Sequence, residues 1–188
     1  MNKLAIVYWS GTGNTETMAN CIADGARESG AEVAMLPPGE FSAARFSEFG
    51  VVAFGCPAMG AEQLEEDEVE PMFAGLEGSL GGKKIALFGS YGWGDGQWMR
   101  EWCSRCEAAG ANLYDEAGLI ANDSPNEEAR EACRELGRKL AAWEHLLIKD
   151  LSLILISFFP LNMALARCAC RAGADSFFTA FKFFRKRA

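Results

Sequence analysis

Leu4 to Trp9 is an unbroken apolar and aromatic run, rich in β-branched side chains, as a strand buried on both faces requires. From Thr15 onward the period changes. Met18, Ile22 and Ala26 fall on one helical face, Glu16, Asp24, Arg27 and Glu28 fall off it, and Gly30 supplies a stop signal. The pattern predicts a strand, a turn over Ser10–Thr15 and a helix. Val51–Gly55 and Lys84–Gly89 are further buried-strand runs. Glu32–Leu36 is a weaker one, ended by Pro37-Pro38-Gly39. Ala111–Ile120 reads as the last strand, interrupted by Asp115-Glu116 and Gly118. Helical spacing returns around Gln97–Ala109 and Pro125–Ala142, the latter with Asp123/Ser124 as cap signals and Pro125 in the first turn. Strands alternating with helices imply an α/β fold, a parallel sheet with helices on both faces. In a doubly wound sheet of this kind a ligand sits outside the carboxyl ends of the strands.

The stretch "IVYWSGTGNTE", Ile6 to Glu16, therefore places hydroxyl residues and two glycines at a helix amino terminus. Unpaired N–H groups and the positive end of the helix dipole make that position an anion site. A Walker loop is excluded, because Gly13 is followed by Asn14 and no lysine is present to reach a triphosphate. A dinucleotide fingerprint needs a third glycine where Glu16 stands. The four side-chain donors Ser10, Thr12, Asn14 and Thr15 and the backbone amides suit a phosphate monoester bound without a cation. A polar turn with a helix cap and no ligand is the simpler alternative for this stretch taken alone.

Ser10-Gly11-Thr12-Gly13-Asn14-Thr15 resembles the phosphate loop of flavodoxins, T/S-x-T-G-x-T. "GCPAMGAEQLEEDEVEP" (Gly55–Pro71) and "ALFGSYGWGDGQWMR" (Ala86–Arg100) resemble the two flavin-flanking loops of the short-chain, clostridial-type members. The similarity runs from about Lys3 to about Trp143. It implies a flavodoxin-like doubly wound five-stranded parallel sheet in the order 2-1-3-4-5 with three α/β/α layers, and FMN as cofactor. It further implies that Trp9, Ser10, Gly11, Thr12, Gly13, Asn14 and Thr15 contact FMN, with Pro57, Ala58, Met59, Gly60, Ala61 and Glu62, and with Ser90, Tyr91, Gly92, Trp93 and Gly94. By the same resemblance Trp93 stacks on one face of the isoalloxazine ring and Met59 packs on the other. Glu62 hydrogen-bonds the pyrimidine edge, and Ser90, Tyr91 and Gly92 offer backbone N–H groups there. The resemblance also implies that the peptide after Gly60 turns over on one-electron reduction, a motion that needs positive φ at the glycine. Ala61 replaces the polar or glycine residue often found second in that turn.

Glu62 to Glu70 holds six carboxylates. Such blocks are usually solvated surface. Beside a flavin they would also steer basic redox partners and oppose a negatively charged reduced ring. At an effective dielectric of ~20 and ~10 Å, one carboxylate opposes an anion by roughly 1.7 kcal/mol. Two would lower a potential by something over ~100 mV, since ~59 mV corresponds to ~1.4 kcal/mol for one electron.

The 188 residues carry 18 Lys and Arg against 26 Asp and Glu, a net charge of −8 that argues against nucleic acid as a partner. A single histidine, His145, leaves little for a catalytic triad or a histidine-rich metal site. Seven cysteines, an odd number with no signal peptide, fit a reducing, cytoplasmic compartment. The Cys103–Cys106 CxxC lies within helical spacing and reads as two thiols on one helix, and Cys56 reads as packed.

Charge divides the chain. Residues 1–143 hold 11 Lys and Arg against 23 Asp and Glu, and residues 144–188 hold 7 against 3. The expected organisation is an FMN-binding domain over 1–143 and a hydrophobic, basic extension over 144–188. The extension's apolar stretch, Leu151–Ala166, is shorter than the roughly 20 residues of a spanning helix. Phe177, Phe181 and Phe184 share a helical face near Lys182, Arg185, Lys186 and Arg187, which suits a membrane-surface helix or contact with the acidic domain. A non-functional extension is the alternative. The resemblance implies a low-potential one-electron carrier between redox proteins, a donor reductase and an acceptor, that dock through the acidic rim. An NAD(P)H-dependent FMN or quinone reductase on the same fold is the second reading.

Overall fold

The computed structural model describes residues 3–143. The expectations for residues 144–188, and for His145, lie outside the described residues. Strands β1 (Lys3–Tyr8), β2 (Glu32–Leu36), β3 (Val51–Gly55) and β4 (Lys84–Tyr91) are all parallel. β1 lies between β2 and β3, and β4 follows β3, so the order is 2-1-3-4-5 as the resemblance implies.

The continuous apolar runs are explained by the two faces they fill. Leu4, Ile6, Val51, Ala53, Ala86 and Phe88 pack against α1 (Asn14–Glu28) and α5 (Glu127–Trp143). Their neighbours Ala5, Val7, Val52, Phe54, Ile85 and Leu87 face the opposite layer, containing α2 (Ala43–Phe46), α3 (Val69–Leu76) and α4 (Gln97–Ala108). Period-two alternation with apolar residues at both phases is what a sheet covered on both sides demands. The second layer is largely aromatic. Phe54 meets Phe73 edge-on at 5.8 Å, and Phe73 meets Trp102 at 5.5 Å. Each such pair contributes ~0.5–1.5 kcal/mol beyond area burial.

Three local features differ from the sequence reading. The last strand is two segments, β5 (Asn112–Leu113) and β6 (Leu119–Asn122), both paired with β4. Between Ile85↔Leu113 and Phe88↔Leu119 the chain loops out. Asp115 causes this. Its carboxylate accepts the Ala117 N–H (3.0 Å) and its carbonyl accepts the Gly118 N–H (3.3 Å), a turn that a ladder would forbid. Second, α5 begins at Glu127 rather than at Pro125. Its cap is Asn126, whose Oδ1 accepts the Ala129 N–H at 2.8 Å, and not Asp123 or Ser124. Third, α2 and α3 have no counterpart in the sequence reading; the start of α3 is hidden inside the acidic run.

Candidate functional site

The first loop leaves β1 and enters α1 through Gly13, the helix cap, at φ +86°. Ser10 organises it from within. Its Oγ accepts the N–H groups of Gly13 (3.1 Å) and Glu16 (3.3 Å), so its oxygen is committed to the loop while its proton is not. The Thr12 and Asn14 side chains have no hydrogen-bond partner among the described residues, and neither do the amides of Gly11, Thr12, Asn14 and Thr15. Thr15 is 1% exposed, and its hydroxyl lies 3.0 Å from that of Ser90. A helix N-terminus with amides and polar side chains left over is equipped to hold an anion.

The second loop follows β3. Trp9 N–H donates to Gly55 O (3.0 Å), Cys56 N–H to Phe88 O (3.1 Å) and Ala58 N–H to Ser90 O (2.9 Å), so all three loops are stitched together at the strand ends. The Trp98 indole N–H donates to Cys56 O at 3.2 Å. Cys56 is fully buried, and burial pushes its thiol up to about 12, the packed role expected of it. Met59 and Gln63 then exchange backbone hydrogen bonds of 2.9 and 2.8 Å across a tight hairpin. Gly60 sits at φ +47° in its tip, a conformation that costs a residue with Cβ roughly 1–2 kcal/mol.

Glu62 has φ +55°, in the left-handed position of this hairpin. Its carboxylate holds it there, accepting the amides of Gly96 (2.8 Å), Gln97 (2.9 Å) and Asp95 (3.4 Å) at the start of α4. Gly94 lies so close that a Cβ there would run into this carboxylate. The structure thus gives Glu62 the work of a helix cap, a role the sequence reading did not contain. A carboxylate has about four lone-pair sites, so the cap does not exhaust its capacity as an acceptor.

The rest of the acidic run divides in two. Glu65 is buried and caps α3, its carboxylate accepting the amides of Asp67 (3.0 Å), Glu68 (2.8 Å) and Val69 (3.0 Å). Burial pushes the Glu65 carboxyl up, but the three amides outweigh it, and the group titrates below the ordinary glutamate value. Glu70 is gripped by both terminal nitrogens of Arg105, at 2.7 and 2.8 Å, and Arg105 also holds Glu77 at 2.9 Å. Glu66, Asp67 and Glu68 remain exposed.

A cleft of about 250 Å³ opens where the loops meet. Of the residues named from sequence, Trp9, Gly11, Thr12, Asn14, Pro57, Ala58, Met59, Ser90, Tyr91 and Gly92 line it. Ser10 lines an adjoining hollow with Trp9 and Tyr8. Gly13, Thr15, Gly60, Ala61, Glu62, Trp93 and Gly94 are not in the lining, and Trp93, next to Gly92, is 62% exposed. Asp123 is the lining residue that sequence reasoning missed as a site residue. It stands at φ +51° with its N–H donating to Tyr91 O at 2.7 Å. Its position just ahead of Ser124-Pro125 had marked it only as a helix cap.

A doubly wound sheet with an anion-competent loop, the Met59–Gln63 hairpin and an aromatic, glycine-rich loop over Tyr91–Gly96 at one end defines a class of nucleotide-cofactor protein. The flavodoxin family model matches residues 6–136. Flavodoxin from Clostridium beijerinckii is 45% identical over 138 residues, 73% of this chain and 99% of that protein. Flavodoxin from Megasphaera elsdenii is 46% identical over 136 residues, 72% of this chain and 96% of that protein. The solution structure of the two-electron reduced M. elsdenii flavodoxin aligns with a TM-score of 0.68 at 46% identity, covering 73% of this chain and 98% of that one. The chain belongs to the flavodoxin family. It is an FMN-binding electron carrier that works with redox partners and, like its flavodoxin relatives, an electron-transfer flavoprotein rather than an enzyme; the comparisons do not favour the reductase reading.

Proposed function

We propose that FMN is held in the cleft between the three loops, with its phosphate on Ser10–Thr15 and its ring between the Pro57–Glu62 and Ser90–Gly94 segments. The observation that carries this reading is the set of uncommitted donors at the start of α1, the amides of Gly11, Thr12, Asn14 and Thr15 with the side chains of Thr12 and Asn14. They fit the anionic end of the cofactor, and the exposed Trp93 with the half-buried Met59 fits its flat aromatic end. When bound, the flavin supplies the redox chemistry; the chain's residues bind it, orient it and set its surroundings.

The carrier is low-potential and passes one electron at a time. Glu66, Asp67 and Glu68 form the surface that meets a basic donor or acceptor, a narrower surface than the whole run from Glu62 to Glu70, because Glu62 and Glu65 are buried helix caps and Glu70 is already paired with Arg105. Residues 1–143 constitute the complete cofactor domain, and the work is done in the cytoplasm. Among the described residues no helix is long and apolar enough to cross a membrane.

Titration of the apoprotein with FMN and with riboflavin tests the site. FMN binds far more tightly if Ser10–Thr15 recognises the phosphate, and equal affinities overturn the assignment. Rapid mixing with NADPH alone tests the carrier role, since a carrier is not reduced quickly without a reductase. A 1–143 fragment that keeps FMN supports the domain boundary; one that cannot fold refutes it.

A further inference from the structure

Thr15 and Ser90 are 75 positions apart, yet their hydroxyl oxygens meet at 3.0 Å in the interior, 1% and 4% exposed. Thr15 lies in the first turn of α1 and Ser90 near the end of β4, where its carbonyl also accepts the Ala58 N–H. Neither hydroxyl has another partner among the described residues. A hydroxyl carries one proton and two lone pairs. A contact between two hydroxyls uses one proton and leaves the other without an acceptor. If Thr15 donates to Ser90, the Ser90 proton is left over. If Ser90 donates to Thr15, the Thr15 proton is left over, on the residue whose own amide is among the free donors of the anion-competent loop.

We infer that Ser90 is a positioning residue for phosphate recognition: its O–H donates to Thr15 Oγ1 and so turns the Thr15 proton toward a phosphate oxygen. The inference rests on the reading that Ser10–Thr15 takes the phosphate of FMN. It gives the Ser90 side chain a part distinct from the backbone N–H at the ring edge, and it ties the phosphate loop to the loop that follows β4. A charged acceptor favours this proton order, because hydrogen bonds to ionised groups are roughly twice as strong as neutral ones.

The test is calorimetric titration of full-length apoprotein with FMN and with riboflavin, in Ser90→Ala, Thr15→Val and the double variant. Ser90→Ala should lower the ratio of FMN to riboflavin affinity about fivefold, the scale of one neutral hydrogen bond. Thr15→Val should weaken FMN about 30-fold, the scale of a bond to a charged group. The double variant should be within about twofold of Thr15→Val, because Ser90 acts through Thr15. A purely structural Ser90 would lower both affinities together, and that result overturns the proposal. An unchanged FMN-to-riboflavin ratio in Ser90→Ala, with the Thr15→Val loss intact, overturns it alone. An unchanged ratio in Thr15→Val overturns the phosphate-loop reading and the proposal with it. Should Ser90→Ala fail to fold, Ser90→Cys, a poor donor of similar shape, should show the same FMN-specific loss, and equal losses for the two ligands refute it.

Discussion

The loop from Ser10 to Thr15 and the hairpin from Met59 to Glu70 are both polar stretches that follow the carboxyl end of a buried strand, and the fold uses them in opposite ways. In the first, Ser10 closes the turn and the remaining donors are left over. Thr12 and Asn14 bond nothing among the described residues, and four amides lack acceptors. In the second, three of the six carboxylates that look like free surface charge are engaged within the fold. Glu62 caps α4, Glu65 caps α3 and Glu70 is clamped by Arg105. Spare donors equip the first loop for an anion, and bonded carboxylates fix the shape of the second. Charge density along the chain does not distinguish them.

The largest effect expected from this contrast is on the cofactor. Replacing Thr12 and Thr15 together with alanine should weaken FMN by about 3 kcal/mol or more, at ~1.5–3 kcal/mol for each charged hydrogen bond lost. Riboflavin affinity should hardly move, and a fluorescence titration with both ligands reads the difference. A similar loss for riboflavin would mean that the loop, too, is structural.

Next comes the hairpin. Glu65→Ala removes an acceptor from three amides and should destabilise the domain by about 2 kcal/mol, the upper range for a helix cap. Urea unfolding measures it, and an unchanged midpoint would show that the α3 cap is dispensable. The same carboxylate sets a pH dependence. Its folded pKa is lowered, so its contribution is complete above the ordinary glutamate range and is lost as pH falls below that range toward the folded value. Stability of the unmodified protein should therefore decline more steeply in that acid window than that of Glu65→Gln.

Gly60→Val forces a β-branched residue to φ +47° and should cost about 1–2 kcal/mol of stability. Thermal unfolding of the apoprotein would show it, and an unperturbed transition would mean that the tip relaxes to negative φ without cost.

The smallest effect on stability is expected where the carboxylates are free. Neutralising Glu66, Asp67 and Glu68 together as Gln, Asn and Gln should leave stability within about 0.5 kcal/mol. It should flatten the salt dependence of electron delivery to a basic protein acceptor. An unaltered salt dependence would place the docking surface elsewhere.

Much of the fold was legible because its signals are local. Leu4–Trp9 and Val51–Gly55 are short, β-branched and apolar at both phases, as a doubly covered strand requires, and Met18, Ile22 and Ala26 mark the inner face of α1. The loop at Ser10–Thr15 was legible for the same reason. Strand β1, the turn and the helix start are contiguous, so the amides that lack partners follow from where the helix begins. The helix α3 was not legible, because its cap lies in a run of like charges and nothing in the order of Glu65, Glu66, Asp67 and Glu68 says which carboxylate turns inward.

By itself, then, the chain's pattern determined the strand–helix alternation, the parallel sheet and the anion-competent turn, all of which depend on neighbours within a few residues. Tertiary structure alone decided that Thr15 meets Ser90, that Glu62 reaches the amides of Gly96 and Gln97 and that Asp123 lines the cleft. Most of these are contacts between segments distant in sequence, brought together because parallel strands place all their carboxyl-end loops on one edge. Whether a buried polar group is satisfied depends on what the rest of the fold brings to it, and that partner is written in a different part of the chain.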